Sequence, residues 1–79
     1  MNIRSLQYIY QMLQTREADL GEQISEIDEG IATFEQAQKQ GETYNEAAYQ
    51  ELRRRYKAIR KEHELVTQIL HDMERHDWR

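Results

Sequence analysis

The 79-residue chain has no proline and no cysteine, and it holds only three glycines, one phenylalanine and one tryptophan. Average proline usage of about 5% would give roughly four prolines in a chain this long. Their absence means that no rigid turn, helix kink or strand-edge breaker is required anywhere. Without cysteine there is no disulfide staple, no thiolate metal site and no thiol nucleophile. Long apolar runs are missing too: aliphatic runs stop at two residues, as in Met12-Leu13, Leu65-Val66 and Ile69-Leu70. That is far too short to cross a bilayer. The N-terminal stretch has neither the apolar core nor the small-residue cleavage site of a signal peptide, so a cytoplasmic address is expected. Charge of a single sign does not dominate. Eleven Lys and Arg against fifteen Asp and Glu leave a net charge of −4, which opposes indiscriminate nucleic-acid binding.

The apolar residues that are present are spaced by sevens. Ile3, Tyr10, Glu17, Ile24, Ile31 and Gln38 form one line, and Leu6, Leu13, Leu20, Ile27 and Phe34 form another three residues on. This is the spacing of a helix with one packed seam. Lys39-Gln40-Gly41 then supplies a cation near a helix C-terminus and a glycine able to take the left-handed cap. Thr43-Tyr44-Asn45-Glu46 has the form of a capping box, with threonine at the cap and glutamate three residues later. A second pair of lines follows: Tyr49, Tyr56, His63, Leu70 and Asp77, with Leu52, Ile59, Val66 and Met73.

Pairing residues whose numbers sum to 83 matches one line against the other throughout. Phe34 falls against Tyr49, Ile31 against Leu52, Ile27 against Tyr56 and Ile24 against Ile59. The series continues with Leu20 against His63, Glu17 against Val66, Leu13 against Leu70 and Tyr10 against Met73. The expected fold is therefore all-α: a single antiparallel, coiled-coil-like hairpin over residues 1–79. Helix one would span about 3–40, the turn 41–43 and helix two about 44–77. Breaks at Gly21 and Gly30 would make three helices instead, but the seam keeps its phase across both.

One seam buries little for a chain this short and unstapled, and association is the usual remedy. Beside the seam, on one common side, lie Ile9, Met12, Gly30 and Ala37, together with Tyr44, Ala48, Ala58, Leu65 and Ile69. The other side carries Gln7, Gln14, Asp28 and Glu35 against Arg53, Lys57, Arg60 and Glu74. The first side reads as a docking surface, with Ile9, Met12, Tyr44, Ala48, Leu65 and Ile69 as its interface residues, while the second reads as solvated. A four-helix bundle made from two hairpins is the expected assembly. The layout resembles that of the plasmid copy-number regulator Rop, a hairpin that dimerises into such a bundle. Small secretion-system chaperones and adaptors use similar hairpins. Both resemblances are architectural and rest on no shared motif.

Candidates for chemistry are few. His63-Glu64-Leu65-Val66-Thr67 begins like the zinc-protease helix His-Glu-x-x-His, but threonine stands where the second imidazole is needed. Asp72 and His76 share a helix face, yet two ligands do not make a metal site. No catalytic group, metal or cofactor is expected. Glu17 and His63 stand as polar residues in the seam, where such a layer can fix register at a cost in stability and could respond to pH. Residues 53–61 hold six cations and no acid, and Arg53, Arg54, Lys57, Arg60 and Lys61 could line up on phosphates. In the hairpin register Glu22, Glu26, Asp28 and Glu29 lie alongside them. Trp78, just off the seam, is a candidate anchor for a partner.

The function expected from these features is a non-enzymatic protein–protein interaction module. It would be a small adaptor, regulator or chaperone-like subunit, working as a homodimer or on a helical partner. The alternative is a Rop-like RNA-binding bundle using residues 53–61. Neither the partner nor the process is written in the sequence.

Overall fold

The computed structural model describes residues 2–75 as two helices, α1 (Ile3–Lys39) and α2 (Glu46–Arg75), packed against each other along their length. The hairpin measures 58 × 17 × 14 Å, so it is little wider than the two helices themselves. At 1.5 Å per residue, a helix of 37 residues accounts for nearly all of that length. α1 is continuous through Gly21 and Gly30, which removes the three-helix alternative. His76, Asp77 and Trp78, and with them the far end expected for helix two, lie outside the described residues.

α1 begins where Asn2 accepts the Ser5 amide on its side-chain oxygen at 2.8 Å. It ends in a Schellman arrangement. The Glu42 amide donates to the Ala37 carbonyl at 2.9 Å and the Gly41 amide to Gln38 at 3.2 Å, with Gly41 at φ +71°. Glycine takes that left-handed conformation without the Cβ clash other residues meet. The start of α2 differs from expectation. Asn45, and not Thr43, is the cap: its side-chain oxygen accepts the Ala48 amide at 3.1 Å, and its carbonyl takes the first helical bond from Tyr49. Helix two therefore begins at Glu46, two residues later than the capping box implied. Glu46 reaches forward to the Gln50 amide at 2.9 Å instead of back to a cap amide.

The five buried apolar residues among those described, Leu20, Ile27, Tyr49, Val66 and Leu70, all stand on the heptad lines. Leu20, Val66 and Leu70 form the centre, and Tyr10, Leu13 and Ile59 pack on it. Near the turn the Phe34 and Tyr49 rings lie 5.6 Å apart, as the register of 83 requires. Tyr44 closes this end, its ring edge-on to both, at 6.1 and 6.0 Å. The two interior glycines are not equivalent. A Cβ on Gly21 would meet nothing within 4 Å, whereas one on Gly30 would lie 2.8 Å from Leu52 Cδ2. Leu52 occupies the space that the missing side chain leaves. Gly30 thus serves the packing within the hairpin.

Two measurements follow at fixed protein concentration. In thermal unfolding followed by circular dichroism, Gly21→Ala should stabilise by about 1 kcal/mol, the usual helix-propensity gain, worth roughly 4–8 °C in a domain this small. Gly30→Ala should gain less, and should recover the full increment in a Leu52→Ala background, where the methyl no longer displaces a side chain. At the second cap, Asn45→Ala should cost about 1 kcal/mol while Thr43→Ala costs a small fraction of that. Equal losses at the two positions would restore the capping box.

Candidate functional site

The seam divides the surface of the hairpin into two flanks, the first of which is marked by an ion pair between the helices. On the first flank Arg16 of α1 bonds Glu62 of α2, with Nε and Nη2 both 2.7 Å from one carboxylate oxygen. Their numbers sum to 78. Stepping by sevens in opposite directions from this pair reaches Ile9 with Ile69 towards the open end. In the other direction it reaches Gln23 with Arg55, then Gly30 with Ala48, towards the turn.

On that flank the open end is apolar and uncovered. Ile9 is 36% exposed, Met12 55%, Leu65 57% and Ile69 46%. These four were all expected at a partner interface. Ala48 is exposed too, but Tyr44 is half-buried in the aromatic cluster with Phe34 and Tyr49 and helps to close the turn end. The rim of the apolar quartet carries ion pairs closed within the chain: Arg16 with Glu62, and Arg75 with Asp72 one turn beyond Ile69. Tyr8, 65% exposed, is an addition the heptad reading missed. It stands one turn from Met12, and the two share a shallow depression on α1 with Gln11, Thr15, Arg16 and Asp19. An aromatic placed off the seam was the available signal.

The second flank is an open groove of about 950 Å³. Arg53, Arg54, Lys57, Arg60 and Lys61 line it, but so do Asp28, Glu35 and Glu64. Among the described residues the ion pairs of the basic stretch stay on their own helix, Arg54 with Glu51 at 3.7 Å and Arg60 with Glu64 at 4.0 Å. Of the acids expected alongside this stretch, Asp28 lies in the groove with the cations, while the close ion pairs form along α2, where one helical turn is a shorter reach than across the seam. The guanidinium of Arg53 lies over the Tyr49 ring and that of Arg60 over Tyr56, each 5.7 Å from the ring centre.

Glu17 and His63, the polar seam residues, are both half-buried, and among the described residues no polar side chain is fully buried. The Glu17 carboxylate accepts the Thr67 hydroxyl at 3.1 Å, so its partner across the seam is one turn beyond His63. At the open end the Tyr10 hydroxyl donates to Glu74 at 2.7 Å. No group of three or more His, Asp or Glu among the described residues could hold a metal ion, and none of the described helices is long and apolar enough to cross a membrane. The clearest electrostatic perturbation is structural. The Glu46 carboxyl is held below the usual carboxylate range, first by the Gln50 amide and then by the Tyr44 hydroxyl, while the Tyr44 phenol is raised chiefly by its bond to Glu46.

No family model, curated protein or solved structure matches the chain. The geometry alone therefore carries the functional reading.

The Glu46 arrangement can be checked by carboxyl-resolved NMR titration. Because the folded pKa lies below the unfolded value, its small contribution to stability is present above the ordinary carboxylate pKa and lost as pH falls through the folded one. Gln50→Ala should move the Glu46 midpoint upward more than Tyr44→Phe does. The reverse order would assign the main bond to tyrosine.

Proposed function

We propose that the chain is a non-enzymatic, cytoplasmic protein–protein interaction module, a small adaptor, regulator or chaperone-like subunit that works by helix packing. Its working surface is the flank bearing Ile9, Met12, Leu65 and Ile69, which takes either a second copy of the chain or a helical partner. One observation carries this reading: four large apolar side chains, contributed by both helices, stand together uncovered on one side of a molecule whose other side is polar. An exposed cluster of this kind, rimmed by charge, is the usual mark of an interaction site in a water-soluble protein. The ion pairs at the rim favour it further, since Arg16 with Glu62 and Arg75 with Asp72 are already paired within the chain before a helix is laid on the quartet.

The Rop-like RNA-binding reading draws on the second flank and has less support. Five cations line that groove, but three carboxylates share it. The tyrosine rings beneath two of the guanidiniums, Tyr49 and Tyr56, are buried and half-buried in the seam, so neither offers a free face to a base.

The surface is tested by Leu65→Glu combined with Ile69→Glu. Both positions are exposed, so helicity by circular dichroism should be unchanged while association, with itself or with a helical partner, is abolished. An assembly that keeps its mass in the double variant would exclude this flank as the interface.

A further inference from the structure

Resting on the interaction reading above, we propose that the occupant of the apolar flank is a second copy of this chain, related by a two-fold axis parallel to the long axis of the hairpin. The two turns then lie at the same end of a four-helix bundle.

The first ground is area. A side 58 Å long and 14–17 Å wide offers on the order of 800 Å², about what each partner contributes to a standard stable interface. A single short helix would cover only part of it.

The second ground is what meets what. With the axis along the molecule, α1 of one copy lies over α2 of the other at equal height, so every pair matched across the flank of one chain is also matched between chains. Ile9 stands over Ile69 of the second copy, and Met12 lies between its Leu65 and Ile69. Two apolar quartets merge into one core of eight side chains. At the middle, Arg16 of each copy lies over Glu62 of the other. Combined with the bond already made within each chain, this yields a closed ring of alternating charge: Arg16, Glu62, Arg16, Glu62. Gln23 stands over Arg55, with Glu26 one turn away to receive it.

Other axes do worse. One crossing the hairpin at its midpoint would set Ile9 over Thr33 and Leu65 over Glu51, burying large apolar groups against polar ones. One crossing at the quartet itself would join the apolar groups but overlap less than half of each molecule, leaving about 400 Å² per copy, the scale of incidental contacts.

The chain lacks cysteine, so a single Glu42→Cys at the exposed turn can carry a spin label without background. At micromolar concentration, sedimentation equilibrium should return twice the chain mass of 9.6 kDa. Label-to-label distances should fall below about 30 Å, the span of two packed helix layers and their linkers. The Leu65→Glu and Ile69→Glu pair should reduce the mass to one chain, whereas Lys57→Glu, on the other flank, should leave it doubled. Should the double variant lose helicity, Met12→Glu serves in its place. A helical wild-type protein sedimenting as one chain would overturn the second-copy proposal while leaving a helical partner possible for the same flank. A dimer indifferent to the flank substitutions would overturn both. A label separation near the full 58 Å would retain the dimer and overturn its arrangement.

Discussion

Everything in this molecule depends on one line of contact between two helices. Leu20, Val66 and Leu70 form its centre, Ile27 and Tyr49 extend it towards the turn, and among the described residues there is no second layer behind either helix. Two helices side by side can bury only the stripes that face each other, so flanking residues remain at least partly wet whatever their chemistry. That is why a chain with 38% hydrophobic residues buries so few of them fully. It also explains why the ends need separate closure. The turn end is filled by Phe34, Tyr44 and Tyr49, and the open end is tied by the Tyr10 bond to Glu74.

A heptad seam by itself leaves a question of register, because sliding one helix by seven residues presents a similar stripe. The polar contacts across the seam answer it. Arg16 with Glu62 and Thr67 with Glu17 at mid-hairpin, and Tyr10 with Glu74 nearer the open end, would all break in a shifted pairing. Exposed contacts of this type are individually worth about 1 kcal/mol or less. Their weight lies in discrimination between alignments. Leu52 seated at Gly30 adds a steric check of the same kind, since a slide by seven would bring a side chain against it.

The long-range arrangement was legible in the sequence because it is carried by a repeat: one sum, 83, places Phe34 against Tyr49 and Leu13 near Leu70. Local choices were less legible where two chemistries fit equally well. Thr43 and Asn45 can both cap a helix, and packing of the Tyr44 ring on Phe34 favours the later start. Gly21 and Gly30 look alike in sequence because the requirement for glycine at position 30 is set by Leu52 on the other helix. The close ion pairs of the basic stretch were not legible for a related reason. Register shows which acids of helix one lie opposite, but Glu51 and Glu64 are nearer along α2 itself. That Ile9, Met12, Leu65 and Ile69 stand exposed beside the seam was readable because they sit one step off a strongly marked line, and Tyr8 was not because it sits further round.

The difference between the two flanks bears on what kind of assembly is available. A hairpin apolar on both sides would present two open surfaces, and copies could add to either one without end. Here one flank is apolar near the open end and the other carries five cations and three carboxylates in a hydrated groove. An interface that uses the same single patch on both partners closes on itself, whereas two different patches propagate. Internal pairing of Arg16 with Glu62 and of Asp72 with Arg75 removes the charge that would otherwise hold like surfaces apart at the apolar end. The polar flank then limits growth once the apolar one is covered. One-sidedness is thus a restriction on stoichiometry as much as an invitation to bind, and it follows from the same seven-residue repeat that builds the seam.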